Sequence, residues 1–68
     1  MANVNKLKGR IVENNIAIPD LAKMINVDKA TLYRKLSNNC ATFTIREANA
    51  LVSALNLSSE DAVAIFFS

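Results

Sequence analysis

Histidine and tryptophan are absent from this chain, and cysteine, glycine, proline and tyrosine each occur once. Without histidine the familiar zinc-ligand spacings are gone, and so is every imidazole-based acid, base or nucleophile set. A lone cysteine, Cys40, excludes an internal disulfide. With no second thiol near it, Cys40 shows no sign of metal binding, and nothing visible in the sequence lowers its pKa. One glycine and one proline supply too little turn chemistry for a fold of many short strands. No apolar run approaches the roughly 20 residues that span a bilayer. Met1-Ala2-Asn3-Val4-Asn5-Lys6 lacks the layout of a signal peptide, so a cytosolic location is expected. There is no pair of carboxylates in an evident cleft and no glycine-rich phosphate loop. No catalysis, cofactor, metal or small-molecule ligand is therefore expected, and no membrane association.

What is present suits helices. The chain has 68 residues, 51% of them hydrophobic but only 6% aromatic, with Ala, Leu, Ile and Val dominant. That length implies one domain over residues 1–68 with a small core, burying about 60% of its unfolded surface. The net charge of +2 hides a polarity along the chain. Residues 1–36 carry Lys6, Lys8, Arg10, Lys23, Lys29, Arg34 and Lys35 against Glu13, Asp20 and Asp28, a balance of +4. Residues 37–68 carry Arg46 against Glu47, Glu60 and Asp61, a balance of −2. Such an asymmetry fits a phosphate-facing side and a far side, or ordinary surface scatter.

Apolar spacing predicts five helices with no linker between them. Helix 1 is expected from about Val4 to Asn14, burying Val4, Leu7 and Ile11, with Gly9 permitting close packing and Asn14-Asn15 as the stop. Helix 2 is expected to begin near Pro19, whose missing N–H suits a first turn, with Asp20 at its positive end. Leu21, Ala22, Met24 and Ile25 are its expected inner side, and Val27 points back to the core. Helix 3 opens on Asp28 as N-cap and runs to about Ser37. After a loop over 38–42, Thr44 caps helix 4, with Glu47 at the capping-box spacing and Ile45, Ala48, Leu51, Val52 and Leu55 as its stripe. Ser58 or Ser59 caps helix 5, which takes in Glu60 to Phe67 and is apolar on more than one face.

Residues 20–36 hold the most informative pattern. A short helix, a tight turn and a second helix with basic and aromatic residues outside are the layout of a DNA-reading helix-turn-helix. Such a unit needs a small residue where the helices cross, here Ala22. Four positions on it needs a turn residue that tolerates positive φ, here Asn26. Ile25, Val27 and Leu32 supply its apolar anchors, and Leu36 adds a further turn of core contact.

These residues, together with Lys6-Leu7-Lys8-Gly9-Arg10-Ile11-Val12-Glu13, Thr31-Leu32-Tyr33-Arg34-Lys35-Leu36, Phe43-Thr44-Ile45-Arg46-Glu47-Ala48 and Ala64-Ile65-Phe66-Phe67, make the chain resemble the Xre/Cro-type helix-turn-helix family. It looks most like the small Cro-like or short-repressor regulators of phages and prophages of Gram-positive bacteria. The resemblance implies an all-α, compact five-helix, lambda-repressor-like domain with its helix-turn-helix in helices 2 and 3. It also implies a transcriptional regulator that binds a double-stranded DNA operator, usually as a homodimer. There are departures. The turn position, commonly Gly, is Asn26. The start of helix 2, commonly Ser or Thr followed by Gln for a phosphate contact, is Ala17-Ile18. The phosphate contact there would fall to backbone N–H groups and Lys23.

Helical phase selects the side chains that face DNA. With Leu32 inward, Leu36 lies about 40° away and Ala30, Arg34 and Ser37 point outward, with Tyr33 on a flank. Lys29 sits at the helix entrance, where the resemblance implies a base or phosphate contact. Arg34 can donate two hydrogen bonds to guanine, or be a solvated arginine. Ala30 can meet a thymine methyl, or be a plain helix former. Tyr33 can place its hydroxyl or ring on DNA, or pack against helix 4. Thr31 can bond phosphate or its own backbone. Asn38 and Asn39, following Ser37, are candidate phosphate donors or simple turn residues. Lys6, Lys8 and Arg10 add backbone attraction or form a solvated face.

One recognition helix reads only about four base pairs, so a second copy about one helical turn away is expected. Phe66 and Phe67 are the candidate dimer contact, or one closes the core and the other is half exposed. A competing reading keeps the fold but makes it a protein-binding module, such as an antitoxin or antirepressor acting on another regulator.

Overall fold

A computed structural model describes residues 3–37 and 42–67. Five helices follow one another: α1 Val4–Glu13, α2 Ile18–Met24, α3 Lys29–Ser37, α4 Ile45–Leu55 and α5 Ser59–Phe66. The described residues contain no strand. The helices pack into a body of 25 × 23 × 20 Å, with α2 against α3 and α4, and α1 against α5.

Each helix end has a local cause. The Asn3 side chain accepts from the Lys6 N–H at 3.2 Å and caps α1. Thr44 and Glu47 form the full capping box that their spacing predicts, with bonds of 3.0 and 2.8 Å. Ser58, not Ser59, caps α5 by accepting from the Asp61 N–H at 3.0 Å. α2 has no side-chain cap, because its N-cap is Ala17. With one glycine in the chain, the left-handed turns fall to asparagine: Asn15 after α1, Asn26 after α2 and Asn56 after α4 have φ of 56°, 60° and 52°. Asparagine is the residue with a Cβ that tolerates this region best.

The core is wholly aliphatic. Val4, Leu7 and Ile11 of α1 meet Leu21, Ala22 and Ile25 from α2 and its cap, Leu32 and Leu36 of α3, Leu51 and Leu55 of α4, and Ile65 of α5. No polar or charged residue is buried among the described residues. Val27 and Phe66 pack partly buried against this cluster.

Several expectations need correction. α1 ends at Glu13, with Asn14 as its cap. α2 starts at Ile18 with Pro19 in its first turn, as expected, whereas α5 runs from Ser59 to Phe66 rather than Glu60 to Phe67. Met24 is not on the inner side of α2 but 56% exposed. Ile18, Leu21, Ala22 and Ile25 centre the stripe so that Met24 falls about 110° from its middle at 100° per residue. Ile45 is not part of the buried stripe of α4 but 79% exposed, because it lies in the first turn where no neighbouring helix covers it. Gly9 mediates no close packing: a Cβ built there meets nothing within 4 Å.

Gly9 lies inside α1 with open space around it, so Gly9→Ala removes backbone entropy from the unfolded chain without a clash. The variant is expected to gain about 0.5–1 kcal/mol. Thermal unfolding should show a melting temperature raised by a few degrees. A lowered one would mean that α1 packs through this position.

Candidate nucleic-acid interface

The packing of α2 on α3 sets the geometry of this face. Ala22, almost fully buried, lets the two helices cross closely. Asn26, in the left-handed region, turns the chain between them. The Val27 N–H then bonds back to the Ala22 carbonyl at 3.0 Å, fastening the turn. α3 is held from behind by Leu32 and Leu36, both buried. Its other side must therefore face outward.

The side chains named by helical phase are where that argument puts them. Lys29, Ala30, Arg34 and Ser37 are exposed, and Thr31 is half-buried near the turn. Tyr33 is 50% exposed and lines a groove with Lys8, Val12 and Ile18, so it leans toward α1 and α2 rather than α4. Lys23, exposed at the end of α2, shares a shallow surface with Pro19, Val27, Asp28 and Lys29. Ser37 turns its hydroxyl back to donate to the Tyr33 carbonyl at 2.9 Å. A phosphate could take that proton only after the side chain rotates. Asn38 and Asn39 lie outside the described residues, as does Cys40.

Position along the chain places seven cations in the basic half, but their partners in the fold divide them. Arg10 is spent inside the fold: its Nε and Nη2 donate to the two carboxylate oxygens of Asp61 at 2.9 and 3.0 Å, and its Nη1 reaches Glu13. Lys6 also approaches Asp61, at 3.7 Å. Together they tie α1 to α5. Lys35 donates to Glu47 at 2.7 Å and sits 5.3 Å from the Phe43 ring centre, tying α3 to α4. Among the described residues Lys8, Lys23, Lys29 and Arg34 form no ion pair within the fold. Apart from the i,i+3 pair of Arg10 and Glu13, no local signal reveals these pairings, since Arg10 and Asp61 are 51 positions apart.

The two engaged carboxylates have a pH consequence. Hydrogen bonding from Arg10 holds the Asp61 carboxyl below its ordinary pKa, outweighing the desolvation that acts the other way. Burial alone would raise Glu47, but the hydrogen bonds from Lys35 and Thr44 prevail and lower it. A depressed carboxyl pKa contributes stability that is present above the unfolded value and lost as pH falls through the folded one. The melting temperature is therefore expected to fall as pH drops below the ordinary carboxylate range of about 4. In the double variant Glu47→Gln, Asp61→Asn that acid slope should flatten. An unchanged slope would mean that other carboxylates carry it.

A second surface lies on α4 and α5. Ile45, Ala48, Val52, Ala62, Phe66 and Phe67 line an apolar groove of about 140 Å³, with no charged residue along it. Phe66 is half-buried, edge-on to Phe43 with ring centres 5.8 Å apart. Phe67 is 75% exposed. One phenylalanine thus helps close the fold and the other lies outside it. Sequence reasoning missed Ile45 here, because an apolar residue at stripe spacing reads as core whether or not a neighbour covers it.

The described residues include no cluster of potential metal ligands. None of the described helices is long and apolar enough to cross a membrane. Compared with known families, residues 6–66 match the sequence model of the Cro/C1-type HTH DNA-binding domain. No curated protein and no solved structure matches the chain.

Proposed function

The chain belongs to the family of Cro/C1-type helix-turn-helix DNA-binding domains, and from that premise we propose that it is a sequence-specific transcriptional regulator of phage or prophage Cro or repressor type. Residues 1–68 act as one DNA-binding domain on double-stranded DNA, in the cytoplasm of a bacterial cell. α3 enters the major groove of an operator half-site. Lys29, Ala30, Tyr33 and Arg34 meet base edges, and Lys23, Thr31, Ser37, Asn38 and Asn39 serve the phosphates.

The observation that carries this reading is the outer face of α3. Arg34 stands exposed, with no ion pair among the described residues, on a helix whose opposite side is locked by Leu32 and Leu36. The guanidinium is thus presented with its donors available, as bidentate recognition of guanine requires.

The protein acts as a homodimer, at least on DNA, because a single recognition helix reads too few base pairs to be selective. The uncharged groove beside Phe67 suits a second copy. The exposure of Ile45 and Phe67 also favours a second reading, in which this groove holds another regulator and the chain acts as an antitoxin or antirepressor.

Titration of the pure protein onto DNA from its own upstream region, against random DNA at two salt concentrations, tests the proposal. Much tighter binding to its own region, with two symmetric protected half-sites, supports an operator-binding dimer. Sequence-blind or absent binding overturns it in favour of the protein partner.

A further inference from the structure

Three cations lie on α1, and only one of them faces the recognition helix. Lys6 and Arg10 are engaged with Asp61 on the α5 side. Lys8 is exposed, has no ion pair among the described residues, and lines a groove of about 290 Å³ with Val12 and Ile18 on one side and Tyr33 and Ser37 of α3 on the other. Among the described residues no carboxylate lines that groove. Tyr33 and Ser37 are one helical turn apart on the C-terminal half of α3, whereas Lys23 and Lys29 share the surface at its N-terminal end. The recognition helix is thus flanked by lysine at both ends. The start of α2 offers no cation: its N-cap is Ala17, its first residue Ile18, and the one charge in its first turn is Asp20.

We infer that Lys8 is a DNA-positioning residue. Its ammonium binds a backbone phosphate on the side of the major groove opposite Lys23, and Val12, Ile18 and the Tyr33 ring pack against the adjoining sugar. The inference rests on the DNA-binding reading and adds the occupant of this groove, the sugar–phosphate backbone of the same duplex. A phosphate supplies the negative charge that the groove lacks, and a deoxyribose supplies an apolar face for Val12 and Ile18. Lys8 then takes over the anchoring that Ala17 and Ile18 cannot perform through side chains. Its contact fixes register without reading sequence.

The test is the salt dependence of binding to the protein's own upstream DNA and to random DNA, for the wild type, Lys8→Ala, Lys8→Arg and Lys6→Ala. Each neutralised phosphate contributes a slope of about 0.9 to the fall of log Kobs with log salt. Lys8→Ala is expected to reduce the slope by about 1 and to weaken both DNAs by the same factor. Lys8→Arg should keep the wild-type slope, and Lys6→Ala should lower it by less than half as much. Thermal unfolding of Lys8→Ala should match the wild type, since the side chain is exposed. An unchanged slope in Lys8→Ala, an equal fall in Lys6→Ala, or a loss confined to the specific site each overturns the inference. A wild type that shows no salt-dependent binding overturns the DNA-binding reading itself, which is a separate result.

Discussion

Leu51→Ala should lower the melting temperature by at least about 10 °C and leave a sizeable unfolded fraction at 37 °C. Leu51 is fully buried in the middle of α4, among the aliphatic side chains of the other helices. Removing its branched end costs the transfer energy of the lost carbons and leaves a cavity, together about 2–5 kcal/mol. A domain of this length has roughly 3–10 kcal/mol in total. It also lacks alternative anchors: the described core holds no buried polar network, and the single cysteine allows no internal disulfide. Circular dichroism melting checks the result. Leu51→Met, which conserves volume, should cost less than about 1.5 kcal/mol. A shift of only a degree or two in Leu51→Ala would mean that α4 does not carry the core.

Arg34→Ala should weaken binding to the specific site by roughly five- to a hundredfold, since a bidentate contact to guanine is worth about 1–3 kcal/mol of discrimination. The melting temperature should stay put, because Arg34 is exposed and forms no ion pair among the described residues. The loss should fall far more heavily on the specific site than on random DNA. That pattern separates it from Lys8→Ala, which should weaken both alike. Phe67→Ala provides the opposing control. If it abolishes activity while Arg34→Ala does not, the apolar groove and not α3 is the working surface.

The helix-turn-helix was legible because its constraints are local. Ala22, Asn26, Leu32 and Leu36 lie within a few turns of one another, and a period of 3.6 residues converts their spacing directly into direction. The same phase put Ala30 and Arg34 outside, where the structure has them. The capping box of Thr44 and Glu47 was readable for the same reason. Phase gives direction but not cover. Met24 is apolar but turned about 110° from the middle of the α2 stripe, and Ile45 lies in the first turn of α4 without a helix over it, so both are exposed. The sorting of cations was equally hidden. Whether Arg10 or Lys8 is available depends on Asp61, which only the completed fold brings to α1. The left-handed turn at Asn56 was missed because a helix can end at Asn without one.

The scarcity of aromatic residues makes one side chain an optical probe. With no tryptophan and a single tyrosine, the near-ultraviolet emission of this chain comes essentially from Tyr33. That ring is half exposed on the outer helix rather than packed in the aliphatic core. A duplex laid along α3 would bring bases or sugars against its exposed half. The intrinsic fluorescence of the unlabelled protein thus reports on the surface of α3, so occupation of that helix can be followed without an attached dye.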